Sequence, residues 1–269
     1  MLANGVDLDT MAYNVGSRSG RLQTAPRRGK NAQVPARHGS IFTPGKKFDS
    51  NTVVLNMWVL GADVEGNVPR DGTMRQLMQE HLDRLLGIFG ADTVELIEPR
   101  EDGSRRRIVG QVLDVIAPNV QAAGTRAELG ISLVCASAFW EDTELVTATR
   151  SGTGEWRLLP FQGANAPMDD CLVRFTAPAT NPQLTNSRGV WVAYNAALSS
   201  AQWVEINCAT WEVTGGGGLT ANKANVDHAG DARWFVIEPG DPTPTVTASQ
   251  TAGTTGGFKL TGRRKFKTA

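Results

Sequence analysis

The sequence predicts a mainly β protein in two domains, the first carrying a single α-helix. Three observations lead there. Glycine is abundant, 29 of 269 residues, and 13 prolines accompany it; this implies many turns between short strands. Short apolar runs rich in Val, Ile, Trp and Phe follow one another closely through the second half. Only one stretch, Met74–Phe89, repeats its apolar residues at three and four. A chain of this length makes one large domain or two of roughly 100–150 residues each. The turn Ser151-Gly-Thr-Gly154 places the expected division at 1–150 and 151–269.

Residues 1–50 read as irregular chain, because large apolar residues are few among the arginines, glycines and prolines. The first strong strand is Val53–Leu60. Val53, Leu55, Met57 and Val59 form one fully apolar face, as for a strand laid on a core. In the helix, Met74, Leu77, Met78, His81, Leu82, Leu85, Ile88 and Phe89 make the stripe. Thr73 with Gln76 has capping-box spacing, and Gly90 suits a C-terminal cap. At 1.5 Å per residue the helix is about 24 Å long. His81 reads as a hydrogen-bonded histidine at the core edge. Strands follow at Thr93–Glu98 and Ile108–Ala117, joined through Asp102-Gly103, a hairpin signal. Leu129–Ser137 and Asp142–Thr149 complete the first half.

In the second half, strands are expected at Trp156–Leu159, Leu172–Thr176, Val190–Tyr194, Trp203–Asn207, Thr210–Thr214, Arg233–Ile237, Thr245–Ala248 and Gly257–Thr261. Turn clusters separate them, among them Gly215–Gly218, read as a flexible loop. Strands at this spacing argue for a β-sandwich or jelly roll.

Net charge is zero, from 27 basic and 27 acidic residues, but it is unevenly placed. Residues 1–50 carry eight basic against three acidic residues, and the last eleven carry five against none. Residues 51–258 carry 14 against 24, net −10. Basic ends beside an acidic body suit nucleic acid, or self-association of a basic segment with an acidic face on a neighbour. Arg27, Arg28, Lys30 and Arg37 are the candidate subunit-interface residues. Their segment has three possible fates: a free tail, a DNA contact, or docking onto another subunit. Arg105, Arg106 and Arg107 read either as a solvated hairpin end or as a contact for an acidic or phosphate partner.

The residues supply no sign of catalysis. There is no GxGxxG after a strand and no Walker-type phosphate loop. In Gly16-Ser-Arg-Ser-Gly20 an arginine stands where a nucleophile elbow needs serine. His38, His81 and His228 have no metal-ligand spacing. Asp169-Asp170 and Glu141, Asp142 and Glu144 are candidate carboxylate pairs, but both lie at strand starts where solvated acids are ordinary. Cys135, Cys171 and Cys208 are widely spaced and read as buried reduced thiols. No metal or cofactor is expected. No run approaches the roughly 18 apolar residues of a membrane helix, and residues 1–20 lack a signal core. Trp191 and Trp211 are read mainly as core, Trp191 sharing a strand face with Ala193 and Trp211 with Val213. The alternative is a sugar-stacking platform.

An ordered set of features then carries a resemblance. After the strand Leu172–Thr176 come Pro178-Ala-Thr-Asn181-Pro182, Asn186, and a Trp/Tyr strand. A small-residue turn, the strand ending at Asn207, Trp234-Phe-Val-Ile-Glu-Pro239-Gly240 and a last strand leading into Arg263-Arg264-Lys265 complete it. This resembles the galectin-like domain of siphovirus distal tail proteins, also called minor tail proteins. The arginine- and glycine-rich entry, the strand Val53–Leu60, the single helix and the following hairpin resemble that family's N-terminal belt domain. Three positions depart: Ala201 where glycine is expected, Asn207 where aspartate is, and Asp241 where asparagine is.

The resemblance implies a split-barrel-like β domain with one helix, then a galectin-like jelly-roll β-sandwich. It implies a non-enzymatic virion protein, a six-fold ring at the tail tip, assembled in the host cytoplasm. The belt would surround a lumen that genome DNA crosses without specific binding. Partners would be itself, the tail tube protein, the tail hub protein and receptor-binding proteins. Other readings of the residues are a carbohydrate-binding module on a virion or cell surface, a nucleic-acid binder using the basic ends, and a jelly-roll glycan hydrolase.

Overall fold

A computed structural model of the chain describes residues 1–16, 19–20, 23–28, 32–33, 40–41, 48–69, 73–121, 125–229, 235–252 and 255–269. It divides into two compact units, Met1–Trp140 with Lys267–Ala269, and Glu141–Phe266.

The first unit holds β1 (Leu2–Ala3), β2 (Val6–Asp7), β3 (Tyr13–Val15), β4 (Ala32–Gln33), β5 (Ser40–Ile41), β6 (Asn51–Leu60), α1 (Met74–Phe89), β7 (Val94–Pro99), β8 (Arg105–Gln121) and β9 (Arg126–Cys135). Seven strands form an antiparallel sheet in the order β2-β1-β7-β8-β9-β6-β3. Alternation decides its inner face. Val53, Leu55, Met57 and Val59 of β6 are buried, as are Ile131 and Leu133 of β9. The helix α1 packs over β6 and β9 and buries Met78, Leu82, Leu85 and Phe89. Gly61 permits this: a Cβ there would lie 2.1 Å from the Met74 carbonyl oxygen. Register shifts between Val112 and Asp114 and between Ile116 and Asn119 interrupt the ladder of β8 on β9, and bulges of this kind bend and twist a strand.

The helix bounds match the periodicity, but its ends differ from the expectation. Thr73 makes no side-chain cap, Gln76 donates to Glu80 instead, and Gly90 is right-handed at φ −83°. His81 is hydrogen-bonded as expected, with Nε2 2.9 Å from the Ala62 carbonyl oxygen.

The basic N-terminal segment is more regular than its composition suggests. Arg27 bridges Phe48, and β4 and β5 pair Ala32 with Ile41 and Gln33 with Ser40. These three pairs are antiparallel, and β4 and β5 pair with no other strand among the described residues. At the other end of the chain, Arg100 and Arg106 donate to the Ala269 carbonyl oxygen at 2.6 and 3.1 Å.

The second unit contains β10 (Trp140–Asp142, beginning at the division), β11 (Val146–Ser151), β12 (Gly154–Arg157), β13 (Leu172–Thr176), β14 (Ala179–Thr180), β15 (Gln183–Asn186), β16 (Trp191–Tyr194), β17 (Ala197–Leu198), β18 (Trp203–Asn207), β19 (Val213–Gly216), β20 (Val226–His228), β21 (Thr245–Ser249), β22 (Gly257–Gly262) and β23 (Lys265–Phe266). Two five-stranded antiparallel sheets, β11-β22-β13-β18-β19 and β12-β21-β15-β16-β20, face one another. Val173, Phe175, Val204, Ile206, Phe258 and Leu260 from the first meet Leu184, Val192, Tyr194, Val246 and Ala248 from the second in one core. This is a β-sandwich.

The units part at Trp140/Glu141, ahead of the expected 150/151. The reason is β11, which pairs with β22 along its whole length, from Val146↔Gly262 to Ser151↔Gly257. Ser151-Gly-Thr-Gly154 is the turn that carries the chain from one sheet to the other, and the Arg150 side chain donates to the carbonyls of Gly152 and Thr153 within it. The strand expected at Thr210–Thr214 begins later, at Val213. Of the strand expected at Arg233–Ile237, Arg233 and Trp234 lie outside the described residues, and Ile237 makes only an isolated bridge to Met168. Gly215 and Gly216, expected in a loop, end β19.

Candidate interaction surfaces

Two of the four basic interface candidates, Lys30 and Arg37, lie outside the described residues. The other two lie just ahead of β4. The Arg27 guanidinium is 4.9 Å from the Phe48 ring centroid. Arg28 donates to Asp49 at 3.3 Å while its side chain stays 69% exposed. An ion pair this exposed is worth about 0–1 kcal/mol, so it does not commit Arg28 to Asp49.

A second surface on the first unit was not read from the sequence. Asp63 organises a tight turn: its carboxylate accepts from the backbone N–H of Glu65 at 3.1 Å and of Asn67 at 2.7 Å, and from Asn67 Nδ2 at 2.8 Å. These bonds, led by the Asn67 side chain, hold the Asp63 carboxyl below its usual pKa. Met11 packs on this turn; a Cβ on Gly66 would lie 3.3 Å from its Cβ and Cγ. Met11 and the turn's Val64 and Val68 are exposed by 66%, 45% and 56%. Asp7 and Asp9, ahead of Met11 in the chain, lie 4.0 and 3.8 Å from the Met1 amine. The one sequence signal was the turn composition Asp-Val-Glu-Gly-Asn; Met11 reaches it only through the tertiary fold.

The tryptophans divide. Val192 and Tyr194 take the core side of β16, so alternation turns Trp191 to the outer face, where it is half-buried. Its expected place in the core is corrected. Trp211 is not on a strand with Val213. It lies in the turn after β18 at φ +57°, 8% exposed, with its ring edge-on to His228 at 5.1 Å. Burial leaves it no open face for a sugar. A third indole, Trp203, lies against Gly216, where a Cβ would come within 2.4 Å of the ring. The Arg174 guanidinium sits 4.1 Å from the Trp203 ring centroid and is held by Glu205 at 2.9 Å.

The paired carboxylates serve an ion cluster. Lys265 Nζ is 2.7 Å from Asp169 and 3.2 Å from Asp170. Burial disfavours the ammonium, but the two carboxylates outweigh it and raise its pKa above the usual lysine value. Asp142 is bound by Arg264. The three cysteines are free and buried. Burial pushes the Cys135 thiol up to about 11, and the hydrogen bond with Cys208, then burial, raise Cys171 strongly. Among the described residues, no group of three or more His, Cys, Asp or Glu is placed to hold a metal ion. No helix among them is long and apolar enough to cross a membrane. A groove of about 650 Å³ at the edge of β12 is lined by Glu155, Arg157, Gly240, Asp241, Thr243 and Thr245.

Comparison with solved structures gives a match along almost the entire chain. The Dit protein (gp 19.1) of SPP1, described as a paradigm of the hub adsorption apparatus in phages infecting Gram-positive hosts, superposes with a TM-score of 0.62. The alignment covers 97% of each chain at 11% identity. The chain has the fold of a phage Dit protein. Two structures of the phage P2 baseplate in its activated conformation, with Ca and with Sr, align over 98% of this chain and 94% of theirs. They do so at TM-scores of 0.42 and 0.39 and identities of 10% and 11%, too distant to add to the argument. No protein-family profile and no curated protein sequence matches.

Proposed function

We propose that this protein is a structural component of a phage tail tip, a distal tail protein that assembles into a ring, six-fold by analogy. In this reading the first unit, Met1–Trp140 with Lys267–Ala269, forms the belt around a lumen through which the genome leaves. The second unit, Glu141–Phe266, forms the galectin-like domain that points outward. The ring joins the tail tube protein to the tail hub and the receptor-binding proteins, at the tail tip of a siphovirus virion. The reading assigns it no catalytic or cofactor role. The observation that carries the reading is the Dit fold along 97% of both chains. The segment between Arg27 and Phe48 supports it: its sequence carries six basic residues and no acidic one, and β4 and β5 within it pair with no third strand among the described residues. An isolated two-stranded hairpin is marginal in water, and a neighbouring subunit supplies what it lacks.

The test is assembly. Light scattering of the purified full-length protein across a concentration series is expected to reveal a ring-sized species, and negative-stain images a closed ring. A strict monomer at every concentration, with no such ring in the particle, would sink the reading. A second reading, carbohydrate binding by the sandwich, draws on the half-buried Trp191 on the outer face of β16. Loss of cell-wall glycan binding in a normally folded Trp191→Ala protein would favour it.

A further inference from the structure

We propose that Cys171 and Cys208 form a reversible disulfide staple between β13 and β18, closed when the chain meets an oxidising medium and open while it stays in a reducing one. The chemistry belongs to the single chain. The proposed function gives it a place, since a virion protein is made in a reducing cytoplasm and works outside it.

The geometry comes from the sheet. β13 and β18 are antiparallel, with a register that runs from Leu172↔Asn207 to Thr176↔Trp203. Cys171 precedes Leu172 and Cys208 follows Asn207, so the two are the next pair of the same ladder. The Cys208 N–H donates to the Cys171 carbonyl oxygen at 3.0 Å, which makes them directly opposed, hydrogen-bonded partners. The Cα atoms of such a pair stand about 5.5 Å apart, inside the roughly 4.4–6.8 Å that a disulfide spans. Alternation puts both side chains on one face. Val173, Phe175, Val204 and Ile206 point into the sandwich core, and Cys171 and Cys208 share that core. Their thiols are already in hydrogen-bonding contact. A disulfide replaces that contact without moving either strand.

Position decides access. Both thiols are buried, Cys171 at 0% and Cys208 at 3% exposure, and buried thiols are inert while the fold stays shut. These two lie at the end of their ladder, ahead of β13 and behind β18, beside the turn in which Trp211 takes φ +57°. Strand ends open locally far more readily than a core does. With a small-molecule disulfide as oxidant the exchange balances. Cys208 loses its proton to water, attacks one sulfur of the reagent and expels a small thiolate. Cys171 then loses its proton and attacks the Cys208 sulfur of the mixed disulfide, expelling the second small thiolate. One S–S bond breaks in the reagent and one forms in the protein. The cysteines give up two electrons, and the two small thiolates take up the two protons. Cys135, on β9 of the first unit, serves as the control.

The test incubates the full-length protein with 2-hydroxyethyl disulfide, counts free thiols after denaturation and measures the intact mass. The three thiols are expected to fall to one, with the mass lower by two hydrogens and Cys171 linked to Cys208 in the peptide map. The melting temperature is expected to rise by on the order of 10 °C, and to return when dithiothreitol reopens the bond. Cys208→Ala is expected to keep its remaining thiols and gain nothing in melting temperature, while Cys135→Ala loses both of its own. Three thiols that persist, reagent left attached to any cysteine, or a closed bond with an unchanged melting temperature overturns the proposal. Each result is read whatever the oligomeric state of the chain. Failure here therefore leaves the ring reading standing, and a strict monomer leaves the staple standing.

Discussion

The two units solve the same burial problem differently. The sandwich of the second unit lays one five-stranded sheet on another, so both apolar faces close on each other and the core draws on ten strands. The first unit has one sheet and one helix. Its covered face is as well buried, with Val53, Leu55, Met57 and Leu85 all at or near zero exposure, while β4 and β5 pair with no further strand among the described residues. Exposed apolar side chains occur in both units, Met11 in the first and Leu145 and Leu159 in the second, so what separates the two is how the core is closed, by a helix or by a second sheet.

Substitutions can break that contrast or sharpen it. The largest effect is expected in the sandwich, where Phe175 meets Phe258 edge-on at 5.8 Å. Phe175→Ala should cost about 3–5 kcal/mol in a denaturant titration; a much smaller loss would mean the two sheets are not packed as one core. Leu85→Ala, beneath the helix, should cost about 2–4 kcal/mol by the same measurement. An unchanged midpoint would show that α1 does not close the first core. Between the indoles the order should be Trp211→Ala at about 3 kcal/mol and Trp191→Ala at roughly 1, since one is buried and the other half-buried. Reversed values would return Trp191 to the core.

Smaller still is a gain. Ala201 stands at φ +66°, where a side chain costs about 1–2 kcal/mol. Ala201→Gly is therefore expected to raise the melting temperature by a few degrees, against the extra freedom glycine brings to the unfolded chain. Lys265 adds a pH dependence. Its folded pKa lies above the unfolded value, so the stability it contributes is complete below about pH 10 and disappears as pH rises through the folded pKa. The alkaline limb of the stability curve should flatten in Lys265→Met; an unchanged limb would remove the Asp169–Asp170 cluster from the account.

Much of the architecture was legible in local pattern. Met74–Phe89, Leu172–Thr176 and Trp203–Asn207 emerge with the bounds their periodicity dictates. At Asn207, where the resemblance leads one to expect aspartate, the amide oxygen accepts from the N–H groups of Ala209 and Thr210, as a carboxylate would. What escaped was short or sparse. β15 has Leu184 as its only large apolar residue, so alternation has nothing to register. β20, Val-Asp-His, is held by its neighbour β16 rather than by its own propensity. The candidate surfaces were half legible: a basic cluster is visible in composition, but the packing of Met11 on the turn at Gly66 is not.

By itself the sequence determined the class of the protein: β-rich, one helix, basic ends around an acidic body. Those properties depend on residues close in the chain, where a period of two or 3.6 and the conformations of glycine and proline suffice. Tertiary structure alone decided the rest. It set the division at Trp140/Glu141 through the pairing of β11 with β22, turned Trp191 outward and Trp211 inward, and brought Met11 onto the turn at Gly66. Each of these depends on contacts between residues tens of positions apart, and no local pattern encodes which of two apolar faces will find a partner.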